Sequence, residues 1–117
     1  MSSLAECSNL GHQHPAVVAA IREQAEKLCF VTSAWGAEPR ARLAARLLEK
    51  SGFEGGRVFF TLGGADANEH AVKFARHASG KALGRIITRE RAYHGASSAA
   101  MALSGDTRTA SRMPPEA

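Results

Sequence analysis

The stretch TLGGADANE, residues 61–69, decides how the rest of the chain is organised. It follows an apolar run at 58–60 that is typical of a buried strand, and it opens a segment with helical spacing. Two glycines therefore fall at a strand-to-helix turn. Because a helix start leaves backbone N–H groups without acceptors and glycine has no Cβ, Gly63 and Gly64 favour phosphate binding. The plain alternative is a Gly-Gly turn in which Asp66 only complements the helix dipole.

The segment after this turn predicts a helix at about residues 65–79, ended by Gly80. We expect Glu69 and Lys73 to pair on its outer face, since they lie four residues apart. Its apolar face combines small and aromatic side chains, namely Ala67, Ala71, Phe74, Ala75 and Ala78. Short apolar runs predict strands at 57–61 and 85–89. The order strand, helix, strand indicates an α/β layer with parallel strands.

Two further helices are predicted upstream, each with proline at its start. The first begins at Pro15, ends near Leu28 and pairs Glu23 with Lys27 on one face. One stripe of this helix consists of Val17, Ile21, Gln24 and Leu28. The second begins at Glu38 and ends at Gly52, with an apolar stripe of Leu43, Ala44, Leu47 and Leu48. Between them, Trp35 lies in a loop or short strand, and its side chain is expected to pack, with a binding role as the alternative.

Four short motifs follow one another along the chain: GHQHP at 11–15, GGADANE at 63–69, AVKFAR at 71–76 and YHG at 93–95. Together they resemble the class III aminotransferases, which are fold-type I enzymes that use pyridoxal 5'-phosphate. The resemblance covers about residues 3–108. It implies an incomplete part of the fold-type I large domain, a three-layer α/β/α structure with a mostly parallel sheet. It also implies an N-terminal segment at 1–37 and a partial cofactor-binding domain at 38–117.

The resemblance implies that the cofactor phosphate is held at the glycine turn. The backbone N–H groups of Gly64 and Ala65 are its expected ligands, and Gly63 lets the turn form. This sequence departs from the family at three places. Ala65 stands where many relatives have serine, Leu62 replaces a commonly polar residue, and Asp66 replaces a glutamate. The backbone anchor survives all three departures.

The YHG motif supplies the second part of the implied cofactor site. Tyr93 matches the aromatic residue that stacks on the pyridine ring of the cofactor, a contact that contributes roughly 0.5–1.5 kcal/mol beyond area burial. His94 and Gly95 complete the motif, and Gly95 is expected to adopt an unusual backbone angle. The alternative for Tyr93 is a core tyrosine with a hydrogen-bonded hydroxyl.

No catalytic residue is assigned in this chain. The family places its pyridine-pairing acid and its Schiff-base lysine downstream of the YHG motif. The four lysines here are predicted on solvent-facing positions: Lys27, Lys50, Lys73 and Lys81. The resemblance therefore implies a truncated fragment that is inactive alone. The intact relative is expected to be a homodimer that moves an amino group between an amine or amino acid donor and a keto acid.

Composition leaves two other functions open, a small phosphate-ligand binding module and a basic nucleic-acid-binding domain. The net charge is +4, but the basic residues are scattered, so a nucleic-acid partner is not favoured. Cys7 and Cys29 fit no metal or redox spacing. His12 and His14 are better explained by a helix-entry turn than by a metal site. Without a signal-type N-terminus, and with its longest strongly apolar run at only 16–21, the chain is predicted to be cytoplasmic, with no membrane partner.

Overall fold

Proline and glycine mark the helix ends in the computed structural model, which describes residues 7–105. The helices are α1 (Pro15–Lys27), α2 (Glu38–Ser51), α3 (Gly64–Ser79) and α4 (Ser98–Leu103). Proline lies in the first turn of α1 and of α2. Gly52 and Gly80 follow α2 and α3 with φ angles of +70° and +66°, which glycine adopts without steric cost. The three predicted helices are therefore confirmed.

The described chain forms two compact units that divide between Val58 and Phe59. In the first unit, Lys27 Nζ lies 2.5 Å from Glu23 Oε1, which confirms the predicted pair. The hydrogen bond and the charge attraction between these two side chains lower the pKa of Glu23 and raise the pKa of Lys27. The indole of Trp35 is 71% exposed, so the expectation that it packs is wrong here. Arg40 instead holds the Trp35 backbone by donating to its carbonyl oxygen.

The strands predicted at 57–61 and 85–89 are not formed among the described residues, so the α/β layer expected from the sequence stays a prediction. Among residues 7–105 the regular structure is helical, and its single β-type pairing is a parallel bridge between Glu90 and Gly105. A strand is stable only when its backbone N–H and C=O groups pair with a neighbouring strand. Neither segment finds such a neighbour within the described residues.

Helix α3 packs through a different face from the one its sequence predicts. Ala67, Ala71 and Phe74 of the predicted apolar face are exposed. Packing involves Ala65, Asn68 and Glu69 instead, and these contact the segment at 94–100. The predicted pair between Glu69 and Lys73 is wrong, because the Glu69 carboxylate is bonded to that segment. Of the apolar face, Phe74 meets the Phe59 ring edge-on at 5.5 Å, while Ala67 and Ala71 stay exposed.

Helix α4 was not predicted as a helix, since residues 96–103 show only a small, apolar composition. Among residues 7–105, Ala100 of this helix is the only hydrophobic residue that is fully buried. The only other buried residue in that range is Gly95. The core of the second unit therefore lies where the YHG segment and α4 meet α3. From Ser104 onwards the sequence is polar, and the frayed tail expected at 113–117 lies outside the described residues.

Candidate functional site

The turn that opens α3 leaves its backbone accessible. The helical ladder starts with the Ala67 N–H, which donates to the Gly63 carbonyl oxygen at 2.9 Å. The N–H groups of residues 64–66 therefore have no intrahelical acceptor. A Cβ placed on Gly63 or Gly64 would meet nothing within 4 Å, so the space above the turn is open. These features fit a phosphate group, which takes several backbone N–H donors at the positive end of a helix.

Gly63 itself does not need to be glycine for the turn to form. Its φ and ψ angles are both −179°, an extended conformation that any residue adopts. The turn is held instead by Asp66, whose Oδ2 accepts a hydrogen bond from the Leu62 N–H at 3.1 Å. Thr61 Oγ1 adds a second bond by donating to the Gly63 carbonyl oxygen at 3.2 Å. The expected conformational role of Gly63 is thus corrected, while its role as an open site for a ligand stays a prediction.

The YHG segment lies directly against the glycine turn. Gly95 has a φ angle of +132°, which confirms the expected unusual backbone angle. A Cβ on Gly95 would lie 2.5 Å from the Ala65 Cβ and 3.1 Å from the Ala100 Cβ. Real Cβ atoms do not approach so closely, so only glycine lets the two segments meet. The structure therefore brings together two of the predicted site residues, Ala65 and Gly95.

His94 is anchored to the protein at its main chain and at its ring. Its carbonyl oxygen accepts from Asn68 Nδ2 at 2.7 Å, and its N–H donates to Ser104 Oγ at 2.9 Å. Its Nε2 lies 2.9 Å from Thr88 Oγ1. These three contacts come from three separate segments of the unit. They fix the backbone of the motif and give His94 an anchoring role beside the predicted cofactor contact.

Glu69 joins α3 to the start of α4 through one carboxylate oxygen. Oε1 accepts from the Ser97 hydroxyl at 2.6 Å, from the Ala99 N–H at 2.9 Å and from the Ala100 N–H at 3.2 Å. The hydrogen bond from Ser97 and those from the two backbone donors lower the pKa of the Glu69 carboxyl. The ionised carboxylate thus satisfies N–H groups in the first turn of α4 that have no intrahelical acceptor.

A second group of side chains lies on the other side of the turn. His70 Nδ1 is 3.3 Å from Asp66 Oδ1 and 2.9 Å from the Asp66 carbonyl oxygen. The Phe59 ring stacks at 4.8 Å from the His70 ring and meets Phe74 edge-on at 5.5 Å. This cluster supports Asp66, which in turn holds the Leu62 N–H.

Tyr93 precedes this anchored backbone, and its side chain is 60% exposed. That exposure shows that Tyr93 does not lie in the core of the described residues. None of the four lysines enters the site, since all are exposed and none is bonded to its residues in the described chain. Within residues 7–105, no group of three or more histidine, cysteine or acidic side chains is placed to hold a metal ion. No described helix is long and apolar enough to cross a membrane.

The glycine turn, the YHG segment and the rest of the chain match one known family over their whole length. The family described as "Aminotransferase class-III" matches residues 1–117. The chain belongs to the class III aminotransferase family. Members of this family depend on pyridoxal phosphate. The match confirms the resemblance inferred from the four sequence motifs.

Similar curated proteins are acetylornithine aminotransferases. The chain is 46% identical to the acetylornithine aminotransferase of Methanocaldococcus jannaschii over 92 residues, which are 75% of this chain and 23% of the relative. It is 41% identical to that of Halalkalibacterium halodurans over 105 residues, 90% of this chain and 26% of the relative. The relative from Nitrosomonas europaea is 38% identical over 112 residues, 93% of this chain and 28% of its own. The chain thus spans about a quarter of the length of these relatives.

Sequence reasoning missed Asn68, Glu69 and Ser97, which join α3 to the YHG segment and α4, and Ser104, which holds the His94 backbone. Polar residues on a surface helix are expected to face solvent, and this expectation hid Asn68 and Glu69. One available signal was asparagine inside a helix, where its propensity is low. A residue that costs helix stability and yet occupies the second turn of α3 indicates a side-chain partner elsewhere.

Proposed function

We propose that this class III chain is the part of a pyridoxal-phosphate-dependent aminotransferase that holds the cofactor phosphate and faces its ring. The observation that carries the proposal is the direct packing of Gly95 on Ala65. It places the backbone of the YHG motif beside the open turn at Gly63 and Gly64. The expected fold is an incomplete part of the three-layer α/β/α large domain, and the division at 1–37 and 38–117 belongs to the same proposal.

Each part of the site has a separate task in this proposal. The backbone N–H groups of Gly64 and Ala65 bind the phosphate, and the open space at Gly63 admits it. The ring of Tyr93 covers the pyridine face, while His94 and Gly95 fix the backbone that carries Tyr93. Bound pyridoxal phosphate supplies the electron sink for amino-group transfer. Catalysis further requires a lysine, and none of the four in this chain is placed at the site.

The reaction proposed for the whole enzyme is transfer of an amino group from an amine or amino acid to a keto acid. Because the relatives are named acetylornithine aminotransferases, an acylated diamino acid is the first donor to test. A homodimer in the cytoplasm, with no nucleic-acid or membrane partner, is proposed for the intact protein. A phosphate-ligand binding module without catalysis is the second candidate for the chain alone, favoured by the exposure of all four lysines.

Titration of pyridoxal phosphate against the 117-residue chain tests the site. Wild type and Lys73→Ala should bind the cofactor equally, since Lys73 lies on the exposed side of α3. Gly64→Val should abolish binding, because a branched side chain enters the space above the turn. A Cβ there meets no protein atom within 4 Å, so the variant should keep its far-UV circular dichroism signal. Equal binding by wild type and Gly64→Val would place the phosphate elsewhere.

A further inference from the structure

Two consecutive residues of α3 hold the segment that carries Tyr93. Asn68 Nδ2 donates to the His94 carbonyl oxygen at 2.7 Å. Glu69 Oε1 accepts from Ser97, Ala99 and Ala100, at distances of 2.6 to 3.2 Å. We call this set of four hydrogen bonds the α3 clamp. It grips the segment on both sides of Gly95, at residue 94 and at residues 97–100.

The two halves of the α3 clamp act on the chain in different ways. Asn68 fixes the peptide unit between His94 and Gly95, one residue beyond Tyr93, so it limits where the backbone that carries the tyrosine ring can lie. Glu69 fixes the start of α4, so it prevents the segment from sliding along α3. Both residues lie within five positions of Gly64, on the same rigid helix whose first turn binds the phosphate. Any loss of the clamp therefore changes the distance between the ring and the phosphate turn.

We infer that Asn68 and Glu69 are positioning residues that hold Tyr93 in register with the phosphate-binding turn. The inference rests on the proposed function, because it treats Tyr93 and the turn as two parts of one cofactor site. Neither residue touches the cofactor in this scheme. Their contribution is to hold a half-exposed tyrosine at a fixed place relative to Gly63 and Gly64, so that binding does not require the segment to become ordered.

Tyr93 is the only tyrosine in the chain, which gives a single-site probe of its position. The full chain labelled with 3-fluorotyrosine yields one fluorine NMR signal. In wild type and Lys73→Ala this signal should lie at one shared position, displaced from that of free 3-fluorotyrosine. In Asn68→Asp it should move towards the free value, since the isosteric carboxylate cannot donate to the His94 carbonyl oxygen. Glu69→Ala should show the same movement, and Glu69→Gln less of it, because the amide oxygen still accepts hydrogen bonds.

Several outcomes would overturn the inference. One is a Tyr93 signal that stays at the wild-type position in Asn68→Asp and Glu69→Ala, and another is a wild-type signal already at the free value. Because Glu69→Ala removes several hydrogen bonds, the helix content of the whole chain is recorded by far-UV circular dichroism for every variant. If Asn68→Asp also loses this helix signal, the residue maintains the fold and is not a positioning residue.

Pyridoxal phosphate binding by the same samples separates this inference from the proposed function. The expected result is weaker binding by about tenfold in Asn68→Asp and Glu69→Ala, with Lys73→Ala unchanged. If wild type binds no cofactor, the proposed function fails for this chain, while the fluorine signals still decide whether the clamp holds Tyr93. If the Tyr93 signal moves and binding does not change, the positioning role is overturned and the proposed function stands.

Discussion

At Gly95, backbone conformation and packing both exclude a side chain. Its φ angle of +132° is unfavourable for any other residue, and a Cβ would lie 2.7 Å from the Ala65 Cα. We expect Gly95→Ala to destabilise the second unit by about 2 kcal/mol or more, the scale of backbone strain plus overpacking. Urea unfolding measures this effect. Gly36→Ala is the control, because a Cβ there meets nothing within 4 Å and should change stability by less than about 1 kcal/mol.

Tyr93 is expected to act through its ring face. Tyr93→Ala should weaken pyridoxal phosphate binding by about tenfold, which corresponds to about 1.4 kcal/mol. Tyr93→Phe keeps the aromatic ring and should change binding only slightly, since the proposed contact is made by the ring face. Absorbance titration of both variants distinguishes the two effects. If Tyr93→Phe loses as much affinity as Tyr93→Ala, the hydroxyl is the contact and stacking is not.

At the scale of elements, the attachment of α4 to α3 should depend on pH. The pKa of Glu69 is lowered from the ordinary value of 4.5, first by the bond from Ser97 and then by the backbone donors, with a small contribution from His70. The ionised form is therefore favoured in the folded chain. The stability that the hydrogen bonds to the ionised Glu69 carboxylate contribute is present above pH 4.5. It is lost as the pH falls through the lowered pKa of Glu69 in the folded chain. The Ala99 and Ala100 amide NMR shifts should titrate together in this acid range.

Glu69→Gln provides the control for this titration, because the amide has no proton to gain. Its Ala99 and Ala100 amide shifts should stay constant where those of wild type change. Shifts that titrate equally in both proteins would assign the pH dependence to another group.

The elements also show how far the sequence predicts this fold. Local signals predicted α1, α2 and α3, because Pro15, Gly52 and Gly80 act on the backbone next to them. The strands predicted at 57–61 and 85–89 do not form among the described residues, because strand pairing depends on residues far away in the chain. The structure brings Ala65 and Gly95 of the two motifs into contact, and their joint role in a cofactor site stays a prediction. The role of Glu69 was missed, since its partners lie 28 to 31 positions further on.

At the scale of the whole molecule, large apolar side chains face outwards. Leu62 and Ile87 are 101% and 97% exposed, and an apolar groove of about 610 Å³ runs along α1 beside Val17 and Ile21. We expect the isolated chain to bind the dye ANS and to be only marginally stable. The double variant Leu62→Lys with Ile87→Lys should bind less dye and keep the same helix content by circular dichroism. A soluble monomer with a cooperative thermal transition and no dye binding would contradict this.

The 117-residue chain should show no transaminase turnover with any amine and keto acid. Pyridoxal chemistry needs a lysine at the cofactor, and all four lysines are exposed on or beside helices. The measurement is keto acid formation from N-acetylornithine and other amines with added pyridoxal phosphate, against a boiled sample of the same chain. Turnover that exceeds this control and disappears in Lys73→Ala would show that the lysine assignment is wrong.

The short length of α4 has a consequence for the order in which this chain folds. The helix has six residues, and so short a helix does not form alone because nucleation is unfavourable. Two of its first N–H groups depend on Glu69, which lies 30 and 31 positions earlier. Helix α3 must therefore form, and a loop of about thirty residues must close, before α4 is stable. During synthesis from the N-terminus, α3 leaves the ribosome first, and residues 98–103 then become helical against it.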